Sequence, residues 1–105
     1  MRYYCRYWLS ALSSLSVSHG INLNPDKRYL VTGTLTLKNG SNYAHVYISE
    51  RCTGGGDVIL CGIYDENTSD IRRNLTEVIT NGVSITITLK TNGGDHRAEG
   101  VIYEL

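Results

Sequence analysis

The chain has few of the features that mark several large classes of protein. Its 105 residues include no Phe, one Pro, one Trp and one Met. No apolar run reaches the roughly 18 residues that a membrane-spanning helix needs. Lys and Arg number 10 and Asp and Glu number 10, so the formal charge is zero. This balance argues against a nucleic-acid partner, a polybasic membrane patch and an acidic tail. The length predicts a single domain over residues 1–105.

Cysteine is also scarce, and its spacing argues against two kinds of site. Cys5, Cys52 and Cys61 are too few for a disulfide framework, and no C-x-x-C pair suggests zinc. We expect three unbridged thiols, because free cysteine is among the most buried residue types, with one bridge plus a free thiol as the alternative. No metal site and no cofactor are predicted, since no two of the three histidines have ligand spacing.

The first 19 residues resemble a secretion signal only in part. Arg6 and five serines interrupt the apolar stretch, so we expect these residues to belong to the fold, as two strands joined near Ser10–Ser13. The alternative is a helix. N-x-[ST] sequons at Asn39, Asn67 and Asn74 permit secretion. We favour an extracellular or virion-associated location.

In contrast, β-branched residues are abundant. The chain has 9 Ile, 7 Val and 10 Thr, and these residues favour pleated, half-buried surfaces. The segment Val83–Lys90 alternates strictly between apolar and polar residues, which is the period of a strand. Because the chain is so short, its strands are buried best in two sheets face to face. We therefore predict an all-β fold, a two-sheet antiparallel β-sandwich of about seven strands.

The clearest local pattern lies in residues 29–50. Asn39-Gly40 is typical of a two-residue type I′ turn, so we predict a hairpin centred on this pair. One apolar face of the hairpin then carries Tyr29, Val31, Gly33, Leu35 and Leu37 beside Asn42, Ala44, Val46, Ile48 and Glu50. The other face carries Thr32, Thr34, Thr36 and Lys38 beside Ser41, Tyr43, His45, Tyr47 and Ser49.

Three further elements are predicted after this hairpin. Thr53–Gly56 is a tight connection to a strand at Asp57–Tyr64, whose continuous apolar run indicates burial on both faces. Apolar spacing near residues 70–80 fits either one short helix or a strand at Leu75–Thr80. Val83–Lys90 and His96–Leu105 are predicted to form a closing hairpin.

The candidate binding residues lie on the polar face of the first hairpin. Tyr43 and Tyr47 flank His45 there, with Thr34 opposite them. Aromatic faces beside hydroxyl and imidazole groups suit a sugar ring, which needs both stacking and hydrogen bonds. The alternative is that this face is solvated, or is covered by the segment that bears Tyr3, Tyr7 and Trp8.

No local motif supports catalysis, and no catalytic residue is predicted. The chain has no G-x-S-x-G sequence, and Gly54-Gly55-Gly56 precedes an apolar strand where a phosphate loop would precede a helix. A small ribonuclease-like hydrolase that uses His and Glu on the sheet is one alternative function. Its candidate residues are His45, Glu50, Arg51, His96, Arg97 and Glu99.

Two stretches resemble the jelly-roll carbohydrate-binding modules found in glycan-degrading enzymes and in phage fibre and tail proteins. They are residues 23–33, with Pro25, Lys27 and Tyr29 before an alternating strand, and residues 83–105. The resemblance implies a jelly-roll-like sandwich that binds a glycan or another surface ligand without catalysis. The alternative function is a structural capsid or fibre component that self-associates as a homo-oligomer, since zero net charge and apolar strands suit such contacts.

Overall fold

The computed structural model describes residues 1–11, 15–38, 44–64, 71–91 and 95–105, apart from the side chains of Ala11, Leu15 and Ala44. Within these ranges the chain forms eight strands and no helix. The strands are β1 (Arg2–Ala11), β2 (Leu15–Asn22), β3 (Arg28–Lys38), β4 (Ala44–Cys52), β5 (Asp57–Tyr64), β6 (Ile71–Thr80), β7 (Gly82–Thr91) and β8 (Asp95–Glu104). The all-β prediction is confirmed, and residues 2–11 and 15–22 form two strands as expected. These ranges contain no helix that could span a membrane.

The strands form two four-stranded antiparallel sheets that pack face to face. Sheet A has the order β1-β8-β3-β6, and sheet B has the order β2-β7-β4-β5. The chain changes sheet at every connection except the one between β4 and β5. Eight strands wound between two sheets in this way form a jelly roll, the architecture that the sequence resemblance implies.

The hairpin predicted over residues 29–50 is wrong, although the faces of its strands are right. β3 pairs with β6 and β8 in sheet A, and β4 pairs with β5 and β7 in sheet B. Leu35 of β3 and Val46 of β4 are fully buried, as predicted. Two alternating strands can bury their apolar sides by facing each other across a sandwich as well as by pairing, and alternation does not distinguish these cases. The predicted turn at Asn39-Gly40 lies outside the described residues.

The closing hairpin is wrong for the same reason. Val83–Lys90 does lie in a strand, but that strand pairs with β2 and β4 in sheet B. β8 pairs with β1 and β3 in sheet A. The end of the chain therefore pairs with its beginning.

Residues 71–80 form a strand, so the helix alternative is wrong for this segment. Leu75 and Ile79 are buried, and Val78 is 50% exposed. A spacing of four residues places side chains on one side of a strand as well as of a helix, because four is a multiple of the strand period of two. Asn81, with a φ of 61°, is the single residue between β6 and β7, where the chain crosses from sheet A to sheet B.

β5 has the predicted bounds but lies at the edge of sheet B. Val58 and Ile59 are 52% and 49% exposed, so the prediction of burial on both faces is wrong. The tight connection to β4 is confirmed, and Gly55 and Gly56 adopt positive φ values there, a conformation that favours glycine. A bulge interrupts the pairing, since Ile48 pairs with Cys61 while the next residue of β4 pairs with Ile59.

The space between the sheets is filled mainly by aliphatic side chains, and two tyrosines, Tyr7 and Tyr29, are buried among them. Tyr7 is buried, and its Oη donates a hydrogen bond to the backbone oxygen of Thr32 at 2.9 Å. Its ring occupies the space where side chains at Gly33 and Gly100 would lie. Burial raises the pKa of Tyr7 well above its ordinary value. All three cysteines are free thiols, as predicted.

Candidate functional site

The outer face of sheet B carries the largest group of the predicted site residues. Alternation along four paired strands turns one residue in two outward, and half of these residues bear hydroxyl groups. The outward residues of the two inner strands are Ser84, Thr86, Thr88 and Lys90 on β7 and His45, Tyr47, Ser49 and Arg51 on β4. Those of the edge strands are Ser16, Ser18, Gly20 and Asn22 on β2 and Asp57, Ile59, Gly62 and Tyr64 on β5.

Three rings meet at one end of this face. The ring of Tyr64 stacks on that of Tyr47, with centroids 5.7 Å apart and planes 27° apart. His45 contacts Tyr64 edge to face, with centroids 5.3 Å apart. The strand register produces this cluster, because His45 pairs with Tyr64 and Tyr47 pairs with Gly62. We call His45, Tyr47 and Tyr64 the ring cluster.

Tyr64 is the most accessible member of the ring cluster. Its side chain is 42% exposed, while His45 and Tyr47 are half-buried. Partial burial, and then the neighbouring phenol of Tyr47, raise the pKa of Tyr64, so its hydroxyl stays protonated at neutral pH. The hydroxyl is therefore available both to donate and to accept a hydrogen bond.

A shallow depression of about 530 Å³ continues from the ring cluster along the sheet. Its walls include the hydroxyl groups of Ser49, Thr86 and Thr88 beside the ring of Tyr47. At its far end the guanidinium of Arg51 and the carboxylate of Asp57 form an ion pair, with 3.1 Å between Nε and Oδ1. The depression therefore offers an aromatic end, a hydroxyl-rich middle and a charge-balanced end.

The structure brings together two of the four predicted binding residues. His45 and Tyr47 lie in the ring cluster, whereas Thr34 lies on the outer face of sheet A, because its strand does not pair with β4. Tyr43 lies outside the described residues. Tyr64 was missed, because the apolar run of β5 predicted burial; its alternation with Gly62 is the signal that places it on the outer face.

The N-terminal segment does not cover the ring cluster. Its strand β1 is an edge strand of sheet A, where Tyr7 points into the core and Trp8 is exposed on the outer face. The predicted alternative, in which residues 3–8 lie over the face of His45 and Tyr47, is therefore wrong.

The histidines of the ribonuclease alternative are separated. His45 lies on the outer face of sheet B, whereas His96 pairs with Leu37 in sheet A and is fully buried in the core. A substrate on one sheet surface cannot contact both imidazoles, so they do not form an acid–base pair. The described residues also contain no cluster of three or more His, Cys, Asp or Glu side chains that could hold a metal ion.

Comparison with known proteins gives structural neighbours only. No protein family and no curated protein matches the sequence. A chain from the structure of infectious bursal disease virus Gx strain has a TM-score of 0.50 and 11% identity, over 95% of this chain and 31% of that one. A mutant VP2 protein of the same virus, from derived T=1 particles, has a TM-score of 0.44 and 14% identity, over 93% and 28% of the two chains.

A carbohydrate-binding module is also among the neighbours. TmCBM61, solved in complex with beta-1,4-galactotriose, has a TM-score of 0.42 and 15% identity, over 95% of this chain and 68% of that one. A carbohydrate-binding module, the kind of protein that the sequence resemblance names, is thus among the neighbours together with viral chains. The likeness to the Gx strain chain shows a shared fold. The present chain spans less than a third of that viral chain.

Proposed function

We propose that this chain is a non-catalytic module that binds a neutral glycan on the outer face of sheet B. The observation that carries the proposal is the exposed ring of Tyr64, held against Tyr47 beside a row of hydroxyl groups. A pyranose presents a C–H face that stacks on an aromatic ring and hydroxyl groups that need hydrogen-bond partners. The ring cluster and the hydroxyl-rich depression supply these two kinds of contact side by side.

The charge on this face favours a neutral ligand. Arg51 and Asp57 neutralise each other in their ion pair, and Lys90 is the other formally charged residue among the outward positions that the structure describes. The middle of the depression has only hydroxyl and apolar groups on its walls. Uncharged hydroxyls recognise a sugar without the desolvation cost that a buried charge imposes.

The proposal is tested by a neutral glycan array followed by calorimetric titration of the tightest-binding saccharide. We expect Tyr64→Ala to weaken binding about tenfold, because one stacked ring contributes up to about 1.5 kcal/mol. Tyr3→Ala, at a 61% exposed tyrosine on sheet A, is the matched control and should bind like the unmodified chain. Equal binding by the Tyr64→Ala variant, or no binding to any saccharide, contradicts the proposal.

Self-association is a second candidate function, and the edge strand β5 favours it. Val58 and Ile59 are about half exposed there, and β5 has no Lys, Arg or Pro, the residues that commonly protect an edge. Both edges of sheet A, in contrast, carry arginines, at Arg2 and Arg6 on β1 and at Arg72 and Arg73 on β6. A second copy pairing antiparallel to β5 extends sheet B across a two-fold axis.

Light scattering over a range of concentrations tests this second candidate. We expect a dimer for the unmodified chain and a monomer for Val58→Lys, because a charge on the edge opposes strand pairing. Val78→Lys is the control, since Val78 is equally exposed but lies on sheet A. A monomer at every concentration contradicts self-association and leaves glycan binding as the function. An extracellular or virion-associated location fits both candidates.

A further inference from the structure

The outer face of sheet A has a different character from that of sheet B. Among its described outward residues are five cations and two carboxylates, an excess of three positive charges in a chain whose formal charge is zero. The cations are Arg6, Arg28, Lys38, Arg72 and Arg97, and the carboxylates are Asp95 and Glu99. The fold thus gives one face a net positive charge, although the whole chain is formally neutral.

One row across this face combines an aromatic ring with polar groups. In the register, Trp8 pairs with Glu99, Glu99 with Thr34, and Thr34 with Asn74. The indole of Trp8 is 57% exposed, and the Thr34 hydroxyl donates a hydrogen bond to Oδ1 of Asn74 at 3.1 Å. A depression of about 460 Å³ lies beside Trp8, lined in part by Arg6 and Glu99. Directly opposed side chains lie about 5 Å apart, so these four groups are neighbours.

The next row is cationic. Two residues further along the strands, Arg97 pairs with Thr36, and Thr36 pairs with Arg72. The two rows are about 7 Å apart, since each strand residue rises about 3.3 Å. A second depression of about 320 Å³ is lined by Arg72, Arg97 and Lys38, together with Thr36, Ile71 and Glu99. Arg97 also forms a bidentate pair with Asp95, with 3.3 Å from Nε to Oδ1 and 3.3 Å from Nη2 to Oδ2, which leaves the N–H groups of Nη1 for a ligand.

We propose that the outer face of sheet A binds an acidic polysaccharide, one that carries carboxylate or sulfate groups. A pyranose ring stacks on Trp8, and its hydroxyl groups bond to Glu99, Thr34 and Asn74. The acidic substituent lies over the adjacent row, where Arg72 and Arg97 offer the planar donors that match carboxylate and sulfate oxygens. This site shares no residue with the ring cluster and takes a different class of ligand, so it goes beyond the proposed function.

The central carboxylate favours a sugar over a nucleic acid. Glu99 pairs directly with both Trp8 and Thr34, so it lies between the aromatic group and the polar groups. A sugar ring can place its hydroxyl groups beside this carboxylate and its acidic substituent over Arg72 and Arg97, whereas the closely spaced phosphates of a nucleic acid bring negative charge to both rows. From the sequence, Thr34 is predicted as a binding residue beside His45. In the present proposal Thr34 is instead a binding residue on the outer face of sheet A.

The experiment is a calorimetric titration with four probes: a heparin-derived hexasaccharide, hexagalacturonate, neutral maltohexaose and a single-stranded DNA 12-mer. We expect one of the two acidic oligosaccharides to bind at least tenfold more tightly than maltohexaose or the DNA, with an affinity that falls as salt rises. Both Trp8→Ala and the double variant Arg72→Gln/Arg97→Gln should weaken this binding at least tenfold. These side chains are exposed, so thermal unfolding followed by circular dichroism should show that the variants remain folded.

Lys27→Gln is the control, because it removes a cation that lies away from this face. Lys27 is in the turn before β3, and there it forms an ion pair with Glu104. It should bind the acidic probe as the unmodified chain does. Tyr64→Ala should also leave this binding unchanged, which separates the present proposal from the proposed function. Equal binding by the arginine variant, binding of neither acidic probe, or tighter binding of the DNA overturns the proposal.

Discussion

The phenol ring of Tyr64 lies across Gly62, two residues earlier on β5. A Cβ atom on Gly62 would lie only 2.6 Å from Cε2 of the Tyr64 ring, closer than nonbonded carbon atoms can approach. The absence of a side chain at this position therefore lets the ring lie down against the sheet. In that position Tyr64 stacks on Tyr47 and is contacted edge-on by His45.

Gly62→Ala should therefore impair glycan binding without removing any binding group. The new methyl group pushes the Tyr64 ring away from Tyr47, and we expect binding to weaken about tenfold, or about 1.4 kcal/mol. Gly20→Ala is the matched control on the same face, because its Cβ would meet no atom within 4 Å. Calorimetric titration of both variants measures the effect, and equal affinities would show that the position of the ring is unimportant.

Tyr7→Phe should destabilise the fold by about 1 kcal/mol, because it leaves the part-buried backbone oxygen of Thr32 without the hydrogen bond that Tyr7 donates. Urea unfolding measures the change in the free energy of unfolding. Tyr3→Phe provides the control, since Tyr3 is largely exposed and should change the free energy by less than about 0.5 kcal/mol. If both variants have the stability of the unmodified chain, the buried hydrogen bond makes no net contribution.

Ionisation of the Glu50 carboxyl group should lower the stability of the fold as the pH rises. Burial raises the pKa of this carboxyl group, and the nearby Glu77 acts in the same direction. Between the unfolded pKa, about 4.3, and the raised native value, the folded state binds more protons than the unfolded state, so stability falls with rising pH. Acids with a lowered pKa have the opposite effect; Glu104, which Lys27 hydrogen-bonds, is one.

The Glu50 contribution is isolated by comparing the unmodified chain with Glu50→Gln. Thermal unfolding at a series of pH values should show that the variant gains stability relative to the unmodified chain as the pH increases from 4 to 7. A difference between the two chains that stays constant over this range would contradict a raised pKa for Glu50.

The three cysteines should react as thiols, and none should need oxidation to support the fold. The melting temperature should be the same with and without a reducing agent, because Cys5, Cys52 and Cys61 are all free. Burial raises the pKa of Cys5 and Cys61, so their thiolates are scarce at neutral pH and should react slowly with a thiol reagent until the chain unfolds. A lower melting temperature on reduction would reveal a disulfide.

Where the sequence alternates clearly, as in β3, β4 and β7, it predicts the strand and its buried face, but it does not predict which strands pair. Leu35 and Val46 each reveal the inner side of their own strand, whether these strands pair or face each other across the core. Pairing depends on contacts between distant parts of the chain, such as that between Trp8 of the first strand and Glu99 of the last. Local patterns carry no information about such partners.

The candidate site shows the same division. His45 and Tyr47 share an outer face because they are two residues apart on one strand, and alternation predicts this. Tyr64 joins them through the pairing of β5 with β4, and Thr34 leaves them because β3 belongs to the other sheet. When a site is assembled from several strands, the sequence therefore predicts which residues of one strand share a face, but not which strands bring their residues together.

Binding of a neutral glycan at the ring cluster can be located by two-dimensional NMR during titration with the neutral saccharide that binds most tightly on the array. We predict saturable shifts in the signals of His45, Tyr47, Tyr64 and Thr88, while those of Trp8 and Thr34 on the other sheet stay unchanged. Shifts confined to sheet A, or no shifts with any saccharide, would contradict the account.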